Sequence, residues 1–78
     1  MIHHICVEKH ITIVDGTPIP YGSLALLESV EAVLPEMLEV IVPTLVTGDI
    51  IVCGEDKEAR HVIGRKIEDR IKREVVYE

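Results

Sequence analysis

The chain has no tryptophan, phenylalanine, asparagine or glutamine. With Tyr21 and Tyr77 as its only aromatic residues, it must build a core from Ile, Val and Leu. The missing amides, beside plentiful Glu, Lys and Arg, lean towards a thermophile's composition. Positive charge is also short: eight Lys and Arg stand against fourteen Asp and Glu, a net charge of −6. That balance argues against general affinity for nucleic acid or anionic lipid. No apolar run reaches the ~20 residues of a membrane-spanning helix. The first residues lack the charged-then-apolar pattern of a signal peptide, so a cytoplasmic location with no membrane partner is expected. Two cysteines, Cys6 and Cys53, are too few for a disulfide framework, and two buried thiols in a reducing compartment are the simpler reading. There is no phosphate-binding glycine loop, and Asp15, Glu55 and Asp56 do not form a calcium loop. No histidine is tied by motif to Ser23, Thr44 or Thr47. A non-enzymatic role is therefore the expectation.

What is present is an aliphatic chain of 78 residues, 47% of them hydrophobic, which fits a single domain over residues 1–78. Ile50 to Cys53 is an unbroken apolar run between Gly48 and Gly54 and reads as a buried strand. A helix follows to Ile71, with Asp56 as its N-cap and Val62, Ile63, Ile67 and Ile71 at helical spacing. From Ile2 to Val14 the pattern alternates: Ile5, Val7, Ile11 and Ile13 share one parity, and His4, Cys6, Glu8, His10 and Thr12 the other. Lys9 interrupts the aliphatic set, so a bend near Glu8-Lys9 is expected. Asp15-Gly16 is a turn signal, and Pro18 and Pro20 bar a central strand after it. Ser23 suits an N-cap for a helix whose stripe is Leu26, Leu27, Val30, Val33 and Leu34, ended or kinked by Pro35. Leu38 to Val42 reads as a strand, and Val75-Val76-Tyr77 as a short last one.

This order predicts an α+β fold of the ferredoxin-like βαββαβ type, a two-layer sandwich with both helices on one face of an antiparallel sheet. The alternative is an α+β domain with an extra N-terminal hairpin at Asp15-Gly16 and no final strand.

The clearest chemical constellation is His4, Cys6, Glu8 and His10 on one strand face, from which His4, Cys6 and His10, with Cys53 from a neighbouring strand, are the candidate metal ligands. Imidazole and thiolate suit zinc or copper. Residues two apart on a strand lie about 6.6 Å apart along its axis, so one straight strand cannot deliver all its side chains to one ion. A solvent-facing polar strand accounts for the same residues without a metal. Met1-Ile2-His3 also meets the amino-terminal pattern that wraps copper or nickel in nitrogen ligands. The segment Val62-Ile63-Gly64-Arg65-Lys66-Ile67 is similar to the Gly-x-x-Gly loop of KH RNA-binding domains, with Ile67 in place of the second glycine. Close helix packing explains Gly64 equally well, which leaves RNA binding as a third and most distant function.

Assembly is the preferred reading. Val40 to Val42 and Ile50 to Cys53 are apolar at both parities, so both faces of a sheet built from them carry hydrophobic groups. With both helices on one face, Ile41 and Ile51 are candidates for an interface on the other, covered by a second copy of the chain. The expected function is a small non-enzymatic binding or assembly module acting as a homo-oligomer, most simply a dimer. The alternative is a transition-metal-binding protein. The sequence identifies no small-molecule ligand.

Overall fold

Alternating residues open the chain as a strand, β1 (Ile2–Val7), which ends at the expected bend. The computed structural model describes residues 1–78. Two short strands follow, β2 (Thr12–Val14) and β3 (Thr17–Ile19), joined through the Asp15-Gly16 turn. Both turn residues have positive φ, 50° and 85°, the conformation of the primed turns that suit a two-residue hairpin. The bend resets the face on which side chains lie. Thr12 and Val14 join Ile5 and Val7 in the core, while Ile13 pairs with Cys6 on the opposite face.

Next come two helices, α1 (Ser23–Glu28) and α2 (Val30–Ile41), and a 3₁₀ turn (Val42–Leu45). They replace the strand expected at Leu38–Val42. The β-branched run Val40-Ile41-Val42 favours a strand locally, but Leu34, Met37, Leu38, Ile41 and Leu45 are all buried at helical spacing. A proline inside a helix costs about 3 kcal/mol. Burying four or five aliphatic side chains at roughly 1.5–3 kcal/mol each exceeds that, so the helix runs through Pro35. The break falls instead at Ser29, which separates α1 from α2 with φ −134°. Ser23 is not a cap: Gly22 takes that position, and Ser23 lies buried with its N–H donating to the Glu8 carbonyl.

The final part follows the expectation closely. Strand β4 (Asp49–Gly54) leads to α3 (Lys57–Ile71), and Val76–Tyr77 forms β5. Asp56 caps α3, its carboxylate accepting from the Ala59 N–H at 3.1 Å. Glu68 accepts from the Val75 N–H at 3.0 Å and steers the chain into β5. Gly64 makes room for the Tyr77 ring, which stacks on His61 with centroids 4.2 Å apart; a Cβ at Gly64 would strike the phenol.

The five strands form one mixed sheet in the order β3-β2-β1-β4-β5. The β1/β2 and β2/β3 pairs are antiparallel, whereas β1/β4 and β4/β5 are parallel. The architecture is α+β as expected, but this is not the ferredoxin strand order. The hairpin of the alternative layout is present together with the last strand. A single hydrophobic core joins Ile5, Val7, Val14, Ile50 and Val52 of the sheet to Leu26, Met37, Ile41, Ile63 and Ile67 of the helices. The opposite face of the sheet has no helix over it.

Candidate functional site

Two features share the uncovered side and upper edge of the sheet. The first is the open face itself. Because register partners point to the same side, Pro18, Ile13, Cys6 and Cys53 form one row across four strands. His4, Ile51 and Val76 form the next row. Ile2 and Val76 are each 56% exposed, and Cys6, Ile13, Ile51 and Cys53 are half-buried by their neighbours in the sheet. The single ionisable imidazole in these two rows is His4. Ile51 therefore lies where an interface residue was expected. Ile41 does not: it is 1% exposed in the core beneath α2, because the segment that carries it is helical.

The second feature is a crevice at the carboxyl ends of the parallel strands. The connection from β1 runs one way, into the hairpin, and that from β4 runs the other way, through α3 to β5. Such divergence opens a cleft where ligands commonly bind in open sheets with parallel strands. The crevice has a volume of about 870 Å³ and is lined by Val7, Glu8, Lys9, Ser23 and Leu24 on one side and Gly54, Glu55 and Asp56 on the other, with Cys6 and Cys53 between. Gly54 has φ +148°, and a side chain there would strike the Val7 carbonyl, so only glycine lets β4 leave the sheet so close to β1. The amino end of α3 faces the crevice, but the Asp56 carboxylate already accepts from the Ala59 N–H there, and Glu55 and Glu58 add negative charge. An anionic ligand is not favoured there.

Cys6 and Cys53 are register partners on adjacent parallel strands. The Cys53 thiol donates to the Ile5 carbonyl at 3.5 Å. Burial pushes the Cys53 thiol above its ordinary pKa, and hydrogen bonding and charge repulsion from Cys6 and the charge of Glu78 push it further up, against the opposing charge of Arg60. Both thiols are free. His4 lies on the same face as Cys6 in the adjacent row, while His10 is exposed in the bend beyond the end of β1. No three His, Cys, Asp or Glu side chains converge to form a metal-binding group. The four residues singled out in the sequence thus reduce to one close pair.

His3 is not available as an amino-terminal copper ligand. It is 4% exposed, with Nδ1 2.6 Å from Asp15 Oδ2 and Nε2 2.8 Å from the Thr47 carbonyl. The ring thus bridges the hairpin turn and the segment before β4 through its two nitrogens. Asp15 also accepts from the His4 N–H at 2.9 Å, and the His3 hydrogen bond is the largest cause holding its carboxyl below the usual value of 3.8. This cluster ties the hairpin turn to the segment before β4, which Arg73 grips from the other side through the Gly48 and Leu45 carbonyls. Its one sequence signal is that His3 sits on the aliphatic parity of β1, so it points inward and needs polar partners there.

Gly64 lies in the interior of α3, not in a loop between helices, and the space its missing side chain leaves is taken by Tyr77. No helix is long and apolar enough to cross a membrane. No protein-family model, curated protein or solved structure matches this chain.

Proposed function

We propose that this protein is a non-enzymatic assembly module that acts as a homo-oligomer through the open face of its sheet. One observation carries the reading: Ile2, Ile13, Ile51 and Val76 lie on a sheet face that no helix covers. One-sided sheets facing water ordinarily alternate apolar-in with polar-out. Here the two central rows of the outward parity are Pro18, Ile13, Cys6 and Cys53, then His4, Ile51 and Val76, with charge confined to the ends of the strands, where Asp49 lies beside Ile2.

A second copy is the partner that matches such a face. Two identical patches with apolar central rows are complementary under a twofold axis, and twofold dimers are the commonest assemblies. Two strands of six residues, two of three and one of two place 20 residues at ~3.3 by ~4.8 Å each, a face of roughly 320 Å². A stable complex buries about 800 Å² on each partner. Face-to-face packing of these sheets alone supplies about two-fifths of that, so the dimer is weak and in rapid exchange, strengthened where Met1 reaches beyond β1. Light scattering at micromolar concentration and neutral pH tests the reading. A mass that rises with concentration from one chain to two supports it, and a single-chain mass at every concentration from a folded sample removes it.

A second reading, transition-metal binding by the outer face of β1, draws support from the pairing of Cys6 with Cys53.

A further inference from the structure

We propose that Cys6 and Cys53 form a two-thiolate site for a soft monovalent metal ion, copper(I). The proposal rests on the second reading above and narrows it to one ion and two ligands. The two residues are register partners on adjacent parallel strands, so their side chains leave the same face at the same level. The parallel pairing is what brings them level; in the antiparallel pairing of the ferredoxin arrangement, the end of one strand would lie beside the start of the other.

The donor set selects the ion. Structural zinc takes four protein ligands and catalytic zinc three, and iron–sulfur clusters take four cysteines. No third His, Cys, Asp or Glu converges on this pair. Thiolates are soft ligands that favour copper(I), a d¹⁰ ion that accepts two ligands in a line. Both thiols are free, and a disulfide between them is the competing outcome that the test below must exclude. The pair also lines the crevice at the strand ends, so an ion can reach it from the edge of the sheet even when the open face is covered.

The uptake step balances simply. Two S–H bonds break, two Cu–S bonds form, and two protons leave to solvent. Copper arrives already reduced, so no electron moves.

The test is a competition titration of the full, untagged chain with copper(I), supplied under anaerobic conditions against a chromophoric copper(I) chelator and a non-thiol reductant. One copper(I) per chain is expected. Cys6→Ser and Cys53→Ser should each weaken binding at least a hundredfold, while His4→Ala and His10→Ala should leave it within twofold. Circular dichroism checks that each variant folds. A copper K-edge spectrum of the loaded wild type should show two sulfur scatterers and no nitrogen, a result that does not depend on any variant. Absence of copper(I) uptake overturns this proposal, and absence of both copper(I) and cobalt(II) binding overturns the metal reading as well. A nitrogen-containing shell, a tetrahedral cobalt(II) spectrum, or binding that survives either serine substitution overturns the two-thiolate site while leaving the metal reading in place. A Cys6–Cys53 disulfide that persists in a reducing glutathione buffer also overturns it.

Discussion

The two faces of this sheet are built from the same strands and have opposite surroundings. On the covered face, Ile5, Val7, Thr12, Val14, Ile50 and Val52 lie against three helices and are almost completely shielded from water. On the open face, Cys6, Ile13, Ile51 and Cys53 are only half-buried, and Ile2 and Val76 are exposed. A small domain can place all its helices on one side if the other side is polar. This one keeps both sides apolar, so its strands resemble the doubly buried strands of a larger layered protein. The difference leaves an apolar face without a helical layer opposite one that three helices cover.

The sharpest break between the faces should appear on truncating two neighbours. Ile50→Ala, on the covered face, should destabilise the fold by about 2–5 kcal/mol, because it combines lost burial with a cavity. Ile51→Ala, one residue along, should cost well under half of that when measured at concentrations where the chain is monomeric. Urea denaturation of both variants at low concentration checks the pair, and equal losses would mean that the open face is packed as tightly as the core.

The next effect is local to the covered side. Asp56→Ala should cost about 0.5–2 kcal/mol by removing the cap that accepts from Ala59. An unchanged denaturation midpoint would show that Asp49–Gly54 and α3 are held together without it.

Acid should act on the edge where the two faces meet. The folded-state pKa of Asp15 is lowered from 3.8, mainly by its hydrogen bond to His3. A depressed carboxylate contributes stability that is fully present above its unfolded value and is lost as the pH falls through the folded one. Stability of the wild type should therefore fall below about pH 4 more steeply than that of Asp15→Asn, which lacks the titrating group. Parallel acid limbs in the two proteins would remove the His3–Asp15 pair as a contributor.

The smallest effect is predicted at Gly64. Alanine there strikes the Tyr77 phenol, whose oxygen is buried without a hydrogen-bond partner. Overpacking of this kind costs about 1–3 kcal/mol. The helix gains about 1 kcal/mol from replacing glycine, and the freed phenol regains water. The net change should be small, with the Tyr77 ring turned outward. Burial is the main cause of the raised Tyr77 pKa, so an absorbance titration of Gly64→Ala should show one tyrosine returning towards 10.0. The second raised tyrosine, Tyr21, is held by Glu36 and should not move.

The sequence reveals the second half of the fold more fully than the first. Asp56, the run Ile50 to Cys53 and the spacing of Ile63 and Ile67 agree at every level, and β4 and α3 lie where those signals put them. Around Pro35 the local signals conflict. Proline and the β-branched run argue for a break and a strand, while Leu34, Met37, Leu38, Ile41 and Leu45 fit one buried helical stripe. Tertiary burial decides between them, and no propensity weighs it in advance. The same misreading moved Ile41 from core to surface. At the candidate site, the residue types Cys6 and Cys53 were visible but their pairing was not. Parallel rather than antiparallel neighbours follow from the β2/β3 hairpin, which sends the chain round the sheet before β4 begins. His3 was legible only as an inward-pointing polar group, since Asp15 and Thr47 meet it through that same topology.

The central claim is that a second copy of the chain covers the open face, and sedimentation equilibrium of the wild type beside Ile51→Glu tests it most directly. The account predicts a reversible monomer–dimer equilibrium in the micromolar range for the wild type. Ile51→Glu should be a monomer throughout that range, with an unchanged circular dichroism spectrum, because its carboxylate lies in the middle of the uncovered row between His4 and Val76. A wild-type chain that stays monomeric at the highest concentration, or a dimer that Ile51→Glu leaves intact, would contradict it.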